Sequence, residues 1–414
     1  MAKLIFHVDV NSAFLSWEAT KRVALGEPDL RDIPSCVGGD PSKRTSIVTA
    51  KSIPAKKYGI NTGEPISMAL RKCPDLVVVK GDFKLYDKYS KAFKAICAEY
   101  TPTMESFSID EVFLDMSGMD KIYPDPIKTA HEIKDRIKTE LGFTVNIGIG
   151  NNKLCAKMAS DFAKPDRVHT LFPNEIQKKM WPLPVGELFT CGKRSAARLS
   201  SIGIKNIGDL AKADIKEIES MLTKRQARHL FEYANGIDES EVISEREDAK
   251  GYSAETTVEE NLDTIDKINH ILLAQADVVS ARIRAAGVKC FTIAVSYRTT
   301  EWKNRSHQKK LEKSTDVTEE IYNTAKNLMA EFWEGEPVRL VGLALRDVDN
   351  NDFEQMSLFK SERNEKMKKL DTALDDIRGK FGSGSIKRAS IMDVGERINR
   401  RYHAEEANRI EKDS

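Results

Sequence analysis

Phe107-Ser108-Ile109-Asp110-Glu111-Val112-Phe113-Leu114-Asp115 is an extended, largely apolar run with two adjacent acids inside it. A regular strand sends neighbouring side chains to opposite faces. Asp110 and Glu111 can therefore serve one site only if the backbone turns between them, and the sequence predicts a tight hairpin at Ile109-Asp110-Glu111. A second acid-bearing strand stands at the start of the chain, where Leu4-Ile5-Phe6-His7-Val8 is stopped by Asp9. Its short apolar run reads as a buried strand. Carboxylates suit a hard, oxygen-seeking cation such as Mg²⁺, and phosphoryl transfer uses two such ions about 3.5–4 Å apart. Acids at strand ends are also common where no cation binds, and spacing alone does not separate the two readings.

Outward from these strands, helices are predicted at about 12–25, ended by Gly26-Glu27-Pro28, and at 84–100 with Leu85, Tyr89, Phe93 and Ile96 on one face. Another is expected at 127–141, ended by Gly142. Further strands are expected at Ile47-Val48-Thr49, at Leu76-Val77-Val78-Val79 and from Phe143 to Gly150. Gly38-Gly39-Asp40-Pro41 is a turn signal, and Asn151 is the expected cap of a helix running to about Ala163. The pattern implies an α+β sheet covered by helices on one face, with the carboxylates on the open face. From Pro173 to Ile237 strand signals vanish and glycine-containing turns separate short helices. Glu241 to Lys250 is polar and reads as a linker. Beyond it Phe291 to Arg298 alternates, placing Phe291, Ile293, Val295 and Tyr297 inside and Thr292, Ser296 and Arg298 outside. Arg339 to Val348 is a further strand, helices near 264–286 and 316–333 can cover the sheet, and the polar remainder holds one short helical segment near 366–380.

The 414 residues favour two to four domains. With 40% hydrophobic and 31% charged residues the composition is that of an ordinary soluble protein. A net charge of +1 announces no polyanionic partner, but residues 282–313 carry nine Lys/Arg and two Glu, a local net of +7. No apolar stretch approaches a membrane span, and the first residues are too soon charged for a signal peptide. Cys36, Cys73, Cys97, Cys155, Cys191 and Cys290 are scattered without zinc-site spacing. They read as reduced thiols of a cytoplasmic protein.

Four motifs then follow in order: Val8-Asp9-Val10-Asn11-Ser12-Ala13-Phe14; Thr49-Ala50-Lys51-Ser52-Ile53-Pro54-Ala55-Lys56-Lys57-Tyr58-Gly59; Ser108-Ile109-Asp110-Glu111; and Gly148-Ile149-Gly150-Asn151-Asn152-Lys153-Leu154 with Ala163-Lys164-Pro165. Over about residues 4–350 the chain resembles the Y-family translesion DNA polymerases, in the DNA polymerase IV and polymerase V catalytic-subunit branch of Gram-positive bacteria. The resemblance implies an α+β multidomain right hand. Its ferredoxin-like palm spans 1–11 and 81–171, small fingers 12–80, a helical thumb 172–240, a linker 241–250, an α/β little finger 251–348 and a tail 349–414. It implies a low-fidelity, template-directed polymerase without proofreading, which extends primed DNA with dNTPs across damaged template by two-Mg²⁺ nucleotidyl transfer. Asp9 and Asp110 then resemble the ligands shared by both ions, Glu111 the third acid near the primer end, and Val10 a backbone-carbonyl ligand. Phe14 matches the steric gate that leaves no room for a 2′-OH. Lys164 aligns with the triphosphate-binding lysine. Lys56 stands where an Arg is usual, and Ser52 or Ile53 where a phosphate-binding Tyr is usual. Gly38, Gly39, Ser46 and Val48 would lie over the nascent base pair.

Leu188 to Leu199 resembles a helix-hairpin-helix, with Thr190 where the family often has Gly and with Lys193 and Arg194 at a helix start suited to phosphate. Arg298, Lys303 and Arg305 are expected to hold the DNA backbone without reading sequence. Gln355-Met356-Ser357-Leu358-Phe359 resembles the bacterial β sliding-clamp motif, with Gln355, Leu358 and Phe359 as its anchors. A monomer is expected. Two rival readings remain: a nucleotide cyclase on a similar palm, and a non-catalytic DNA-binding regulator. The thumb, the basic segment and the clamp motif oppose the first; the presence of all three acids opposes the second.

Overall fold

The computed structural model describes residues 3–43, 45–245, 248–349, 362–382 and 384–391. The chain divides into two units, Met1–Ser42 with Ser46–Arg246, and Lys43–Thr45 with Glu247–Ser414. In the first, the elements are β1 (Ile5–Val10), α1 (Ala13–Ala24), β2 (Ser35–Gly38), β3 (Val48–Lys51), α2 (Ile53–Lys57), α3 (Ile66–Lys72), β4 (Val77–Lys80) and α4 (Phe83–Ala98). They continue with β5 (Met104–Ser106), β6 (Glu111–Asp115), α5 (Pro126–Leu141), β7 (Val145–Gly150), α6 (Lys153–Asp161) and β8 (Val168–Leu171). Five short helices complete the unit: α7 (Ile176–Lys179), α8 (Lys193–Ser201), α9 (Ile207–Lys212), α10 (Ile215–Met221) and α11 (Lys224–Ala234).

The central sheet has the order β5-β6-β1-β7-β8. β1 is antiparallel to both neighbours, and Asp9 lies opposite Glu111 on one side and Asn146 on the other. Every residue of β1 is buried. Alternation splits them between two faces. Phe6, Val8 and Val10 join Phe93 of α4, Ile133 and Ile137 of α5, and Phe143 in one core. Ile5 packs with Phe113, Ala156 and Val242 on the other face.

Helices therefore cover both faces, and the expectation of an open carboxylate face is corrected. The helix on the acid face is α6. It approaches so closely that a Cβ on Gly148 would stand 2.0 Å from the Ala156 carbonyl oxygen, and one on Gly150 2.6 Å from the Cys155 Cβ. Any side chain at either position would push α6 off the sheet. The cap of α6 is Asn152, whose side chain accepts from the Cys155 N–H at 2.8 Å, rather than Asn151.

A three-stranded sheet, β3-β2-β4, carries α2 and α3 over a small core of Cys36, Val48, Ile60 and Ile66. Val48 and Ser46 are buried within this part, so neither presents a surface to a base pair as the sequence suggested. Helices α7 to α11 enclose Leu199, Ile207, Leu210, Ile218 and Leu230. The chain after α11 is not a free linker at its start. Asp238 accepts from the Leu154 N–H at 3.0 Å, Ile243 N–H donates to Glu105 at 3.0 Å, and Val242 is buried against the sheet.

The second unit contains β9 (Gly251–Leu262), α12 (Ile265–Ala285), β10 (Lys289–Thr299), β11 (Asn304–Thr315), α13 (Thr318–Phe332), β12 (Val338–Asp349) and α14 (Glu362–Phe381). Its antiparallel sheet has the order β11-β10-β12-β9. Ile293, Val295 and Tyr297 enter the core as expected. Phe291 does not, because the register shifts between Cys290 and Thr292 and Cys290 takes the inward place. A bulge of this kind moves a side chain off its face.

The predicted segment near 366–380 is a 20-residue helix, α14, attached to its own unit by charge. Asp371 accepts the Thr318 N–H at 2.9 Å and pairs with Arg284 and Arg388. Arg378 meets Asp277 at 2.7 Å. Arg284 is thus spent inside the unit, and the nine basic residues of 282–313 do not form a single DNA-facing group. Gln355, Leu358 and Phe359 lie outside the described residues. Among the described helices none is long and apolar enough to cross a membrane.

Candidate active site

The predicted hairpin exists, and its turn falls just before Glu111. Phe107 and Ser108 both donate their N–H to the Glu111 carbonyl, at 3.1 and 3.2 Å. Within the turn, Ser108 Oγ donates to Asp110 Oδ1 at 2.6 Å, and Lys94 Nζ holds the Ser108 carbonyl at 2.6 Å. The Val10 N–H donates to the Asp110 carbonyl at 3.0 Å, which ties the turn to the end of β1. Asp9, Val10, Asp110 and Glu111 are thereby collected from segments a hundred residues apart.

Two ammoniums stand among the acids. Lys157, on α6, lies 2.6 Å from Glu111 Oε1, 3.3 Å from Asp9 Oδ2 and 3.4 Å from Asp161 Oδ2. Lys164 lies 2.9 Å from the same Asp9 oxygen and 2.8 Å from Asp161 Oδ1. Burial alone would lower the pKa of both lysines, but Asp9 foremost, then Glu111 and Asp161 for Lys157 and Asp161 for Lys164, outweighs it and holds both above the ordinary value. Glu111 is raised above the usual carboxylate range, chiefly by burial and further by the Asp9 charge, with Lys157 pulling the other way. His7, two residues before Asp9 on the same face of β1, is lowered well below its ordinary value by burial and then by Lys157 and Lys164. It is neutral, so the 4.0 Å approach of its Nε2 to Glu111 is not an ion pair. Its Nδ1 is fixed by Ser160 Oγ at 2.8 Å.

Among the described residues no three His, Cys, Asp or Glu side chains form a ready-made metal cluster. The donor set nonetheless fits a hard cation: all oxygen, with two carboxylates on directly opposed positions of neighbouring strands, where like charges repel.

Beside the acids opens a cavity of about 550 Å³, lined by Asp110, Phe14, Lys51, Lys56, Lys164 and Ser52 among others. Phe14 is set rigidly by stacking on Tyr86, with ring centroids 4.7 Å apart, and Tyr86 is fixed in turn by its hydroxyl on Glu18 at 2.8 Å. Lys164 is placed from behind, where Asn146 donates to the carbonyls of Ser160 and Ala163 at 3.0 and 2.6 Å. The expectation for Ser52 is corrected. Its hydroxyl donates to the Ile33 carbonyl and accepts the N–H groups of Ala55 and Ser35, so it caps α2 with no hydrogen left for a phosphate. Ile53, at the other candidate position, offers no donor. Lys51 is the cation that sequence reasoning passed over. Its pKa is lowered by burial and then by Lys56 and Lys72, with Glu64 opposing, which marks a local surplus of positive charge.

The remaining predicted contacts lie elsewhere. Lys193 and Arg194 open α8 and are exposed. Thr190, just before, has φ +71°, the left-handed region that favours glycine. Arg298, Lys303 and Arg305 belong to the β10–β11 hairpin of the second unit, where Arg298 and Arg339 stack on the exposed Trp302. Lys157 and Asp161 were also missed. Their signal was present as a Lys/Asp pair four residues apart on a helix that follows Gly148-x-Gly150, a spacing that permits close helix–sheet contact.

The family model described as impB/mucB/samB matches residues 8–161, and that of the family's C-terminal domain matches 249–358. The chain is 43% identical over 398 residues to a DNA polymerase IV of Clostridium acetobutylicum, spanning 96% of this chain and 100% of the relative. It is 36% identical to a DNA polymerase IV of Moorella thermoacetica (92% and 94% spanned) and 35% identical to DNA polymerase IV 2 of Bacillus subtilis (94% and 95%). Among solved structures, a Y-family DNA polymerase chimera of Dbh and Dpo4 matches with a TM-score of 0.74 at 23% identity, over 84% of this chain and all of the other. An insertion ternary complex of Dbh DNA polymerase matches over the same shares with a TM-score of 0.57.

Proposed function

The chain belongs to the impB/mucB/samB family, in its DNA polymerase IV branch, and from this footing we propose that the cavity beside Asp9, Asp110 and Glu111 is the nucleotidyl-transfer site of a low-fidelity, template-directed Y-family DNA polymerase. The observation that carries the reading is the meeting of Asp9 with Glu111 across one strand pair, with Asp110 pinned to Val10 beside them at the mouth of the cavity.

Two Mg²⁺ ions held by the three carboxylates and the Val10 carbonyl would activate the primer 3′-OH and offset charge on the leaving pyrophosphate. The chain's own groups do the rest. Lys164, Lys56 and Lys51 neutralise the triphosphate as it enters, and as ammoniums they hold it by charge without bidentate geometry. Phe14, unable to yield because Tyr86 backs it, takes the space a 2′-OH would need. The five-stranded sheet acts as palm, the β3-β2-β4 sheet as fingers, α7 to α11 as thumb and the four-stranded sheet as little finger. Lys193 and Arg194 hold phosphate at the start of α8, and Arg298, Lys303 and Arg305 do so on the β10–β11 hairpin. Gln355, Leu358 and Phe359 engage the β sliding clamp. The protein works as a monomer in the cytoplasm, where its substrate DNA and dNTPs are.

The direct test is primer extension with Mg²⁺, four dNTPs and primed templates, undamaged and damaged. Extension through lesions is expected, and an intact preparation that adds no nucleotide ends the proposal. Clamp engagement is read by adding β clamp: Leu358→Ala with Phe359→Ala is expected to lose stimulation, and equal stimulation of both proteins would remove the clamp contact.

A further inference from the structure

Burying an ammonium costs several kcal/mol unless it is paired and hydrogen-bonded. Lys157 is 8% exposed. It is held at that depth because α6 can lie directly on the sheet at Gly148 and Gly150. Its three N–H bonds point tetrahedrally, and three carboxylates lie within 3.4 Å of the nitrogen: Glu111, Asp9 and Asp161. It takes one oxygen from Asp9 and one from Glu111, the two acids that face each other across β1 and β6. Asp161 uses its second oxygen on Lys164. On the far side, Ser160 Oγ donates to the Lys157 carbonyl at 2.8 Å and meets His7 Nδ1, so the backbone carrying the lysine is itself fixed.

We propose that Lys157 is a positioning residue for nucleotidyl transfer: its ammonium fixes the Asp9 and Glu111 carboxylates relative to each other, and Asp161 couples that arrangement to Lys164. The inference rests on reading Asp9, Asp110 and Glu111 as the cation ligands. A point charge alone would only lower the local negative potential. A buried ammonium hydrogen-bonded to both Asp9 and Glu111, with Asp161 paired at 3.4 Å, sets geometry, and a misplacement of about 1 Å in such a site costs about 100-fold in rate.

The experiment compares Lys157→Met, which keeps the buried stem, with Lys157→Arg and the wild-type protein. Thermal melting, Mn²⁺ affinity by electron paramagnetic resonance, and kcat and KM for dNTP are measured on the full chain. Lys157→Met is expected to lose about 100-fold in kcat with KM within a few-fold. Its Mn²⁺ affinity should be unchanged or tighter, since a neighbouring cation is gone. Lys157→Arg keeps the charge on a planar, larger group and should recover only part of the loss. A kcat within threefold of wild type, or full recovery of kcat at saturating Mn²⁺, overturns the proposal. Should Lys157→Met melt too low to assay, Asp161→Asn, whose carboxylate is half exposed, removes its charge from both Lys157 and Lys164 while leaving the Lys157 bonds to Asp9 and Glu111: a several-fold rise in KM for dNTP is expected, and an unchanged KM overturns the proposal. Asp110→Ala separates the two levels. Activity in that variant defeats the reading of the carboxylates, whereas an inactive Asp110→Ala beside a fully active Lys157→Met defeats only the role of Lys157.

Discussion

Two clusters of buried charge, one in each unit, look alike on a map of ion pairs and behave as opposites. In the second unit Asp277, Asp371 and Asp375 meet Arg284, Arg378 and Arg388, three acids against three guanidiniums among the described residues. In the first, Asp9, Glu111 and Asp161 pair with Lys157 and Lys164, and Asp110 and Lys164 line a cavity together with Lys51 and Lys56. The pairs of the second unit tie α14 to the helices of its own unit. The first cluster stands beside a cavity, and Glu111 within it is raised chiefly by burial, with the Asp9 charge adding to it and Lys157 opposing. Access, rather than the number of ion pairs, separates the cluster that attaches a helix from the one proposed as the site.

The largest expected effect pairs one variant from each cluster. Asp110→Ala removes the acid on the cavity lining. It should lower primer extension by about 1,000-fold, the equivalent of the several kcal/mol a metal ligand contributes, while thermal melting stays at the wild-type value. Arg378→Met leaves Asp277 under-compensated at a buried position. It should destabilise the second unit by about 3–5 kcal/mol in urea unfolding, with kcat unchanged at temperatures where the protein is folded. Equal stability losses in the two variants would break the comparison.

A smaller effect concerns the cavity itself. Phe14→Ala should relax discrimination against ribonucleotides by about 100-fold, measured as the ratio of kcat/KM for dNTP and rNTP. An unchanged ratio would leave Phe14 a core residue stacked on Tyr86 and nothing more.

The smallest belongs to His7. The folded chain holds it neutral to a lower pH than the unfolded chain does, so the unfolded state takes up the proton first as pH falls. Stability is complete above about pH 6.5 and declines below it by at most about 1.4 kcal/mol per pH unit. His7→Gln should flatten that slope in urea titrations between about pH 6.5 and 5. An identical slope in both proteins would show that His7 is accessible to protons in the folded state.

Much of the site was legible because its signals are local. An apolar strand stopped by Asp9, and two adjacent acids that a strand cannot aim at one point, required a hairpin, and the Glu111 carbonyl closes it. The order of the motifs around Phe14 and Lys164 needed no coordinates. Ser52 misled because a hydroxyl near a phosphate site and a hydroxyl capping a helix look the same in sequence. Arg284 misled because a basic run does not say which of its members turn inward.

The sequence alone determined which residues could make strands, where the chain must turn, and that oxygen donors and cations were present in the right order. Only the tertiary structure decided that α6 lies on the acid face, that Lys157 reaches three carboxylates there, and that Asp9 pairs with Glu111 in register. The physical reason is that periodicity fixes how side chains divide between the faces of an element, but not what each face meets. That was settled by a contact between glycines on β7 and the backbone of a helix, made where a missing Cβ leaves room.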